Sequence, residues 1–290
     1  MAKEINCPIC DSEKINNYAS KNGYRLYQCL DCDLVFVWPI PVNVSKIYGK
    51  QYFKANKKEK SAGYIDYEND KEPMKRVFEN CLDEFEKLTK GRKVFDIGAA
   101  TGYFLDLAKR RGWKTAGTEI SEYAAELAKK KGHDIFCGDL FEKNITKIYD
   151  VVTMWDVLEH LKDPGRYLQS VNKLLVNGGV LAINTIDKGS LWAKFFGKKW
   201  HLIIPPEHLF YFSQKNLKIL LKEAGFKIIK IKKIGKKFSL PYIFSILYSW
   251  QKLEIWHLLL QFFNKPFWRR FSIPINLRDN IFIIARKKAC

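Results

Sequence analysis

The sequence predicts an α/β protein with three parts: a small cysteine-rich module, a mostly parallel sheet covered by helices on both faces, and a helical insertion near the end of the chain. Three observations predict this organisation. Two Cys-x-x-Cys pairs lie near the start, short apolar segments alternate with helical ones after Gly91, and a long apolar and basic stretch separates the last two apolar segments. Strand–helix alternation of this kind is typical of a parallel sheet.

The first part, residues 1–40, holds two cysteine pairs with two residues inside each pair and 18 residues between the pairs. The four cysteines are Cys7, Cys10, Cys29 and Cys32. Four thiolates at this spacing suit tetrahedral zinc and leave no open coordination position. We therefore expect a zinc ribbon with a structural Zn²⁺ that stabilises a module too small to fold on its own core. A redox pair and unliganded cysteines are the alternatives.

The second part follows a connector and lead-in helix over residues 41–90 and forms a core over residues 91–235. Apolar periodicity predicts its elements. The predicted strands are 93–97, 114–118, 134–137, 150–154, 180–185 and 225–234, with a last strand and tail over 280–290. The predicted helices are 73–88, 102–111, 121–131 and 167–175.

A turn rich in small residues joins the first of these strands to a helix. Its sequence runs from Asp96 through Gly98, Ala100 and Gly102, so a ligand can approach the backbone and the free amides of the helix start. The spacing differs from the Gly-x-Gly-x-x-Gly of dinucleotide sites, which are the main competitor. Acidic or aromatic residues follow the next three strands: Glu119, Asp139 with Leu140, and Trp155.

In these landmarks and their order, residues 64–233 with the last strand resemble class I S-adenosylmethionine-dependent methyltransferases. The resemblance implies a Rossmann-like class I methyltransferase sheet that binds S-adenosylmethionine. Asp96, Gly98, Ala100 and Gly102 would hold the methionine part of the cofactor, Glu119 the ribose, and Asp139 and Leu140 the adenine, with Trp155 beside it. A nucleotide-binding protein and a non-catalytic relative remain alternatives.

Two acid–histidine pairs are candidates for activating the acceptor: Glu159-His160 and Glu207-His208. The second pair begins a Glu-His-Leu-Phe-Tyr-Phe-Ser segment. Together with the four-cysteine module, this segment resembles the branch that includes nucleotide-sugar C-methyltransferases. That resemblance implies His208 as general base, Glu207 as its orienting partner and His160 as a second candidate. The alternative is that His208 only packs against Tyr211.

Charge is concentrated in the last third of the chain. The whole sequence has 50 Lys and Arg against 31 Asp and Glu, a net charge of +19, and residues 186–290 alone hold 21 basic against 5 acidic residues. Residues 186–213 would cover the active site, or would form a helix that packs on the sheet. Tyr64 and Tyr67 would close over the cofactor carboxylate. Residues 236–279 predict a basic, aromatic helix pair of the kind that lies in a membrane interface. A dimer interface, a helical cap with its own core, or RNA binding would be the alternatives.

Together these features predict a cytoplasmic methyltransferase, because no signal peptide or spanning segment is visible in the sequence. It would dock on an anionic membrane at its inner face and methylate a sugar or lipid-linked glycan. Three alternatives stay open: a small-molecule O-methyltransferase of the quinone-biosynthesis type, an RNA methyltransferase, and a zinc-ribbon binding protein with a relict cofactor fold.

Overall fold

A computed structural model describes most of the chain. The described residues are 5–42, 74–142, 145–233, 236–264, 268, 272–275 and 277–288. Tyr64 and Tyr67 lie outside them, so their predicted closure over the cofactor stays a prediction. Within the described residues, no helix is both long and apolar enough to span a bilayer.

The centre of the molecule is a seven-stranded sheet. Its strands are β4 (Lys93–Ile97), β5 (Lys114–Glu119), β6 (Asp134–Cys137), β7 (Tyr149–Trp155), β8 (Leu175–Ile186), β10 (Phe226–Lys233) and β13 (Asn280–Lys287). They lie in the order β10-β13-β8-β7-β4-β5-β6. The strands β6, β5, β4, β7 and β8 run parallel, while β13 is antiparallel to both of its neighbours. The predicted α/β fold is confirmed. Because β4 lies between β5 and β7, the crevice at its carboxyl end is the usual place for a ligand.

Helices pack against both faces of this sheet. They are α1 (Lys75–Leu88), α2 (Tyr103–Arg110), α3 (Glu122–Lys130), α4 (Pro164–Leu174), α5 (Leu191–Phe196) and α6 (Gln214–Glu223). Helix α4 begins three residues before the predicted start. Asp163 caps it by accepting a 2.9 Å hydrogen bond from the backbone N–H of Arg166, and Pro164 fits the first helical turn because it has no N–H to satisfy.

The cysteine-rich module is joined to the later part of the chain by a shared sheet. Its strands β1 (Ile15–Lys21), β2 (Tyr24–Cys29) and β3 (Val35–Val37) are antiparallel, and β9 (Phe210–Tyr211) pairs with β3. Phe36 lies opposite Phe210 in this pairing, and both are fully buried in one apolar core with the central sheet. The segment that carries His208 is therefore fixed to the module that carries the cysteines.

The insertion between β10 and β13 is a helix pair on a short two-stranded ribbon. The ribbon consists of β11 (Lys236–Ser239) and β12 (Ser272–Ile275), and the pair consists of α7 (Leu240–Gln251) and α8 (Glu254–Phe263). Phe244 packs against Phe263 with ring centroids 5.2 Å apart, so the pair has a small aromatic core of its own. Other apolar side chains of α8 point to solvent, as described below.

Candidate functional site

The turn after β4 is held in a conformation that favours small residues. Gly98 and Gly102 have φ of 71° and 84°, and the N–H groups of Gly98 and Ala99 donate to the Thr118 carbonyl of β5. A Cβ built on Gly98 would lie 2.7 Å from Cγ2 of Val157, so a larger residue there would push the turn away from the loop that follows β7. The turn and the β7 loop are therefore in direct contact at the carboxyl edge of the sheet.

Glu119 holds this turn in place. Its Oε2 accepts a 2.8 Å hydrogen bond from the N–H of Ala100, and its Oε1 accepts one of 2.8 Å from the N–H of Ser121. Burial raises the pKa of Glu119, while these backbone donors oppose the shift. Each carboxylate oxygen can accept a second hydrogen bond, so the ribose role that the resemblance implies is compatible with this support role. Sequence reasoning missed the contact with Ala100, whose φ of 49° is unfavourable for a residue with a Cβ.

The remaining predicted cofactor residues line the same edge. Asp96 is buried and its carboxylate accepts a 2.6 Å hydrogen bond from Thr153 of β7. Asp139 accepts a 2.6 Å hydrogen bond from the hydroxyl of Tyr167, which also lies 3.3 Å from the backbone N of Leu140. Burial and the bond to Asp139 raise the pKa of Tyr167, so its hydroxyl stays protonated and fixes the predicted adenine-flanking loop.

Trp155 ends β7 and packs among three aromatic rings. It stacks on Phe282 with centroids 5.7 Å apart and meets Phe78 and Phe104 at 4.8 and 5.2 Å. Its indole Nε1 is buried and has no hydrogen-bond partner among the described residues. A buried N–H without a partner is costly, so its presence here favours a bound ligand.

His160 and His208 come together although 48 positions separate them. Their ring centroids are 4.8 Å apart, and each ring is fixed by its Nδ1: His160 donates to the Glu207 carbonyl at 2.6 Å and His208 donates to the Leu202 carbonyl at 2.8 Å. The Glu159 carbonyl in turn accepts a 2.8 Å hydrogen bond from the N–H of Leu209. Burial lowers the pKa of His160, so its ring is neutral near pH 7.

Glu159, the acidic member of the first acid–histidine pair, completes this group. Only 1% of its surface is exposed, and its Oε2 accepts a 2.8 Å hydrogen bond from the Thr185 hydroxyl of β8. One ligand atom each of Glu159, His160 and His208 lies within 4.8 Å of the other two. Glu207 contributes its backbone carbonyl to this group, because that carbonyl accepts the hydrogen bond from His160. The ring of His208 also packs against Tyr211, with ring centroids 6.3 Å apart, so His208 makes this contact in addition to its contacts within the cluster.

The four cysteines meet in the N-terminal module. Sγ of Cys7 lies 3.5 Å from Sγ of Cys32, Cys10 and Cys29 are 3.6 Å apart, and all four sulfur atoms lie within 4.8 Å of one another. Zn–S bonds of about 2.3 Å in a tetrahedron place sulfur atoms roughly 3.8 Å apart, close to these distances. A hydrogen bond with Cys32 lowers the pKa of the Cys7 thiol to about 5, which favours the thiolate that a metal binds.

The segment predicted to cover the site touches it through Leu202, whose carbonyl fixes His208. Trp200 in the same segment is buried and its Nε1 donates to Asp279 at 3.4 Å. In contrast, Leu191 and Phe195 on α5 are 83% and 82% exposed. Residues 186–213 thus expose apolar side chains on α5 and hold His208 through the Leu202 carbonyl.

Comparison with known proteins identifies the family of this chain. A family model described as a methyltransferase domain matches residues 68–231, more than half of the chain. A ubiquinone biosynthesis O-methyltransferase of Nitrosomonas europaea is 26% identical over 161 residues, which cover 50% of this chain and 68% of that protein. An uncharacterized protein of Methanocaldococcus jannaschii is 31% identical over 146 residues, covering 49% of this chain and 68% of that protein.

Other relatives are matched over a smaller share of their length. The chain spans 63% of a ubiquinone biosynthesis O-methyltransferase of Bradyrhizobium, at 24% identity over 50% of this chain. The fold is shared with Haemonchus contortus phosphoethanolamine N-methyltransferase 2, solved with phosphomonomethylethanolamine and S-adenosylhomocysteine. The TM-score is 0.50 at 17% identity, over 74% of this chain and 53% of that one.

Proposed function

We propose that this chain, which belongs to the class I S-adenosylmethionine-dependent methyltransferase family, transfers a methyl group to a hydroxyl group of a lipid-linked acceptor. The observation that carries the proposal is the fixed His160–His208 pair at the carboxyl edge of β7 and β8, beside the turn after β4. A neutral amine can attack the methyl group without first losing a proton, whereas a hydroxyl acceptor must be deprotonated. A pair of fixed imidazoles suits the second case, since an imidazole nitrogen can take up that proton.

The cofactor edge fits S-adenosylmethionine by the chemistry of its groups. Glu119 offers carboxylate oxygens for ribose hydroxyls, the loop of Asp139 and Leu140 is fixed by Tyr167, and the unpartnered Nε1 of Trp155 offers a donor. When bound, the cofactor supplies a methyl group on a sulfonium that leaves as a neutral thioether. The residues of this chain then align the acceptor with that methyl group, keep water out with the cover segment, and take up the acceptor proton at the histidine cluster.

The acceptor class is proposed from the surface near the site. A lipid-linked glycan, the expectation from the sequence, and a prenylated phenol of the quinone-biosynthesis type both carry a hydroxyl on a lipid tail. The identity to relatives named ubiquinone biosynthesis O-methyltransferase supports the phenol as the second candidate. In both cases the exposed Leu191 and Phe195 would face the lipid while His208 meets the hydroxyl.

We also propose that the cysteine cluster holds a structural Zn²⁺. Its sulfur distances and the four-thiolate donor set fit that ion and leave no position for a substrate. Its function would be to fix β3 and, through the β3–β9 pairing, the segment of His208.

Membrane attachment is a separate part of the proposal. Several apolar side chains on and next to α8 are at least half exposed: Leu253, Ile255, Leu258 and Phe262. The excess of basic residues over residues 186–290 matches an anionic bilayer in charge. We expect the protein to float with vesicles containing phosphatidylglycerol and not with neutral phosphatidylcholine vesicles.

The double variant Leu258→Asp, Phe262→Asp should reduce that flotation at least tenfold, because it places charge on the apolar face. Ile148→Asp is the matched control, since Ile148 is 50% exposed but lies outside the insertion. Equal flotation of the parent, the double variant and the control would contradict the membrane proposal. Salt-sensitive retention on RNA would indicate that the basic surface binds nucleic acid instead.

The activity itself is tested with His208→Ala. We expect turnover to fall about 10²- to 10⁴-fold, the usual contribution of a group that activates the acceptor, while affinity for S-adenosylmethionine changes little. Calorimetry measures the affinity, and release of S-adenosylhomocysteine measures turnover. His257→Ala is the matched control, because His257 lies on α8 and outside the cluster. Unchanged turnover in His208→Ala would remove His208 from the reaction.

A further inference from the structure

We propose that Glu159, His160 and His208 bind one divalent first-row cation, which activates the acceptor hydroxyl. This deepens the proposed methyl transfer and rests on it. The three side chains each bring one ligand atom within 4.8 Å of the others. Glu159 and His208 are buried and His160 is half-buried, so the cluster lies below the surface of the protein.

The hydrogen bonds of both rings select the nitrogen that would bind a metal. A carbonyl oxygen only accepts, so the bonds to the Glu207 and Leu202 carbonyls place a proton on Nδ1 of each ring. Nε2 is therefore the candidate ligand atom of each ring. Histidines that bind metal are nearly always oriented by such a bond from the other ring nitrogen.

The carboxylate has the same kind of support. Thr185 donates to Oε2 of Glu159 at 2.8 Å, and the N–H of Leu209 ties the backbone of Glu159 to the segment of His208 at 2.8 Å. Both segments that supply ligands are thus joined to each other before any ion binds. Bonds of about 2.0–2.2 Å place ligand atoms roughly 3–4 Å apart, so small side-chain rotations would complete the site.

The donor set indicates both the ion and its role. Two imidazoles and one carboxylate suit manganese, iron, cobalt or zinc in the divalent state, and do not suit a purely structural thiolate site. Three protein ligands leave open coordination positions, as in catalytic metal sites. The cluster therefore differs in purpose from the four cysteines.

With a cation bound at the three side chains, the acceptor oxygen would bind it and lose its proton to solvent, in place of direct transfer to a histidine, because coordination lowers the pKa of a bound hydroxyl. The resulting alkoxide or phenoxide attacks the methyl carbon, an O–C bond forms, and the C–S bond breaks with its electron pair on sulfur. The products are an O-methyl ether and neutral S-adenosylhomocysteine, with no change of oxidation state at the metal.

Mn²⁺ is the probe that separates this site from the cysteine cluster, since thiolate sites select softer ions. The full-length protein would be dialysed against EDTA, its zinc content checked, and Mn²⁺ titrated while free Mn²⁺ is followed by electron paramagnetic resonance. We expect one Mn²⁺ per chain. His160→Ala, His208→Ala and Glu159→Gln should each weaken binding at least tenfold, whereas His257→Ala should bind as the parent does. Affinity for S-adenosylmethionine reports whether each variant is folded.

The outcomes distinguish the two proposals. Mn²⁺ binding that depends on the three residues, with methyl transfer restored by Mn²⁺ after EDTA, supports both. No Mn²⁺ binding by the parent protein, or equal binding by all variants, overturns the cation site. If methyl transfer then persists at full rate after EDTA, the proposed function stands with His208 as a direct base. If Mn²⁺ binds at these residues but no methyl transfer occurs, the cation site is supported and the proposed function is contradicted.

Discussion

Replacing Cys29 with serine is expected to unfold the N-terminal module and abolish turnover. Cys29 ends β2, is fully buried, and lies 3.6 Å from Cys10 in the cysteine cluster. In small zinc modules the binding free energy of the ion, about 10 kcal/mol or more, is the folding free energy. Loss of that support should release β3, and with it β9 next to His208. Zinc content by mass spectrometry, proteolysis of the module and turnover measure the three consequences.

Cys137→Ser is the matched control for this prediction. Cys137 is a half-buried free thiol that ends β6, outside the cluster. It should keep its zinc and most of its activity. If Cys29→Ser binds zinc as tightly as the parent protein does, or keeps its turnover after losing zinc, the module does not support the His208 segment in the way proposed.

Replacing Glu119 with alanine should weaken the binding of S-adenosylmethionine by two to three orders of magnitude. The change removes the acceptor for the ribose hydroxyls, at about 1.5–3 kcal/mol per charge-assisted hydrogen bond. It also leaves the N–H groups of Ala100 and Ser121 without their acceptor, so the turn that holds the cofactor loses its fixed shape. Both effects act on the same ligand, and calorimetry measures their sum.

Glu122→Ala is the control, since Glu122 is exposed at the start of α3 and the charge change is the same. Its affinity should match the parent. A Glu119→Ala protein that binds the cofactor with parental affinity would show that this edge of the sheet is not the ribose site.

The sheet and the cofactor edge could be predicted from the sequence because local patterns determine them. Short apolar strands, a small-residue turn and acidic residues at strand ends each occupy a few neighbouring positions, and parallel strands bring those ends to one edge. The start of α4 is marked locally as well, because Asp163 and Pro164 form a capping signal three residues before the predicted start.

The histidine cluster required information that is not local. That Glu159 faces His208 depends on the pairing of β3 with β9 and on the bond between Leu209 and Glu159. No periodicity predicts a two-residue strand such as β9, and none predicts that Tyr167 reaches Asp139 across 28 positions. Such contacts follow from the tertiary packing of the module against the sheet.

The most direct test of the proposed methyl transfer is mass spectrometry of the acceptor after reaction with S-adenosylmethionine labelled in its methyl group. The probes would be a polyprenylated phenol and a polyprenyl phosphate-linked sugar, each in vesicles with phosphatidylglycerol. We expect one labelled methyl group on a hydroxyl oxygen of one of these acceptors, with one S-adenosylhomocysteine released per transfer and none in His208→Ala. Label on nitrogen, or on RNA offered in competition, or equal transfer by His208→Ala would contradict it.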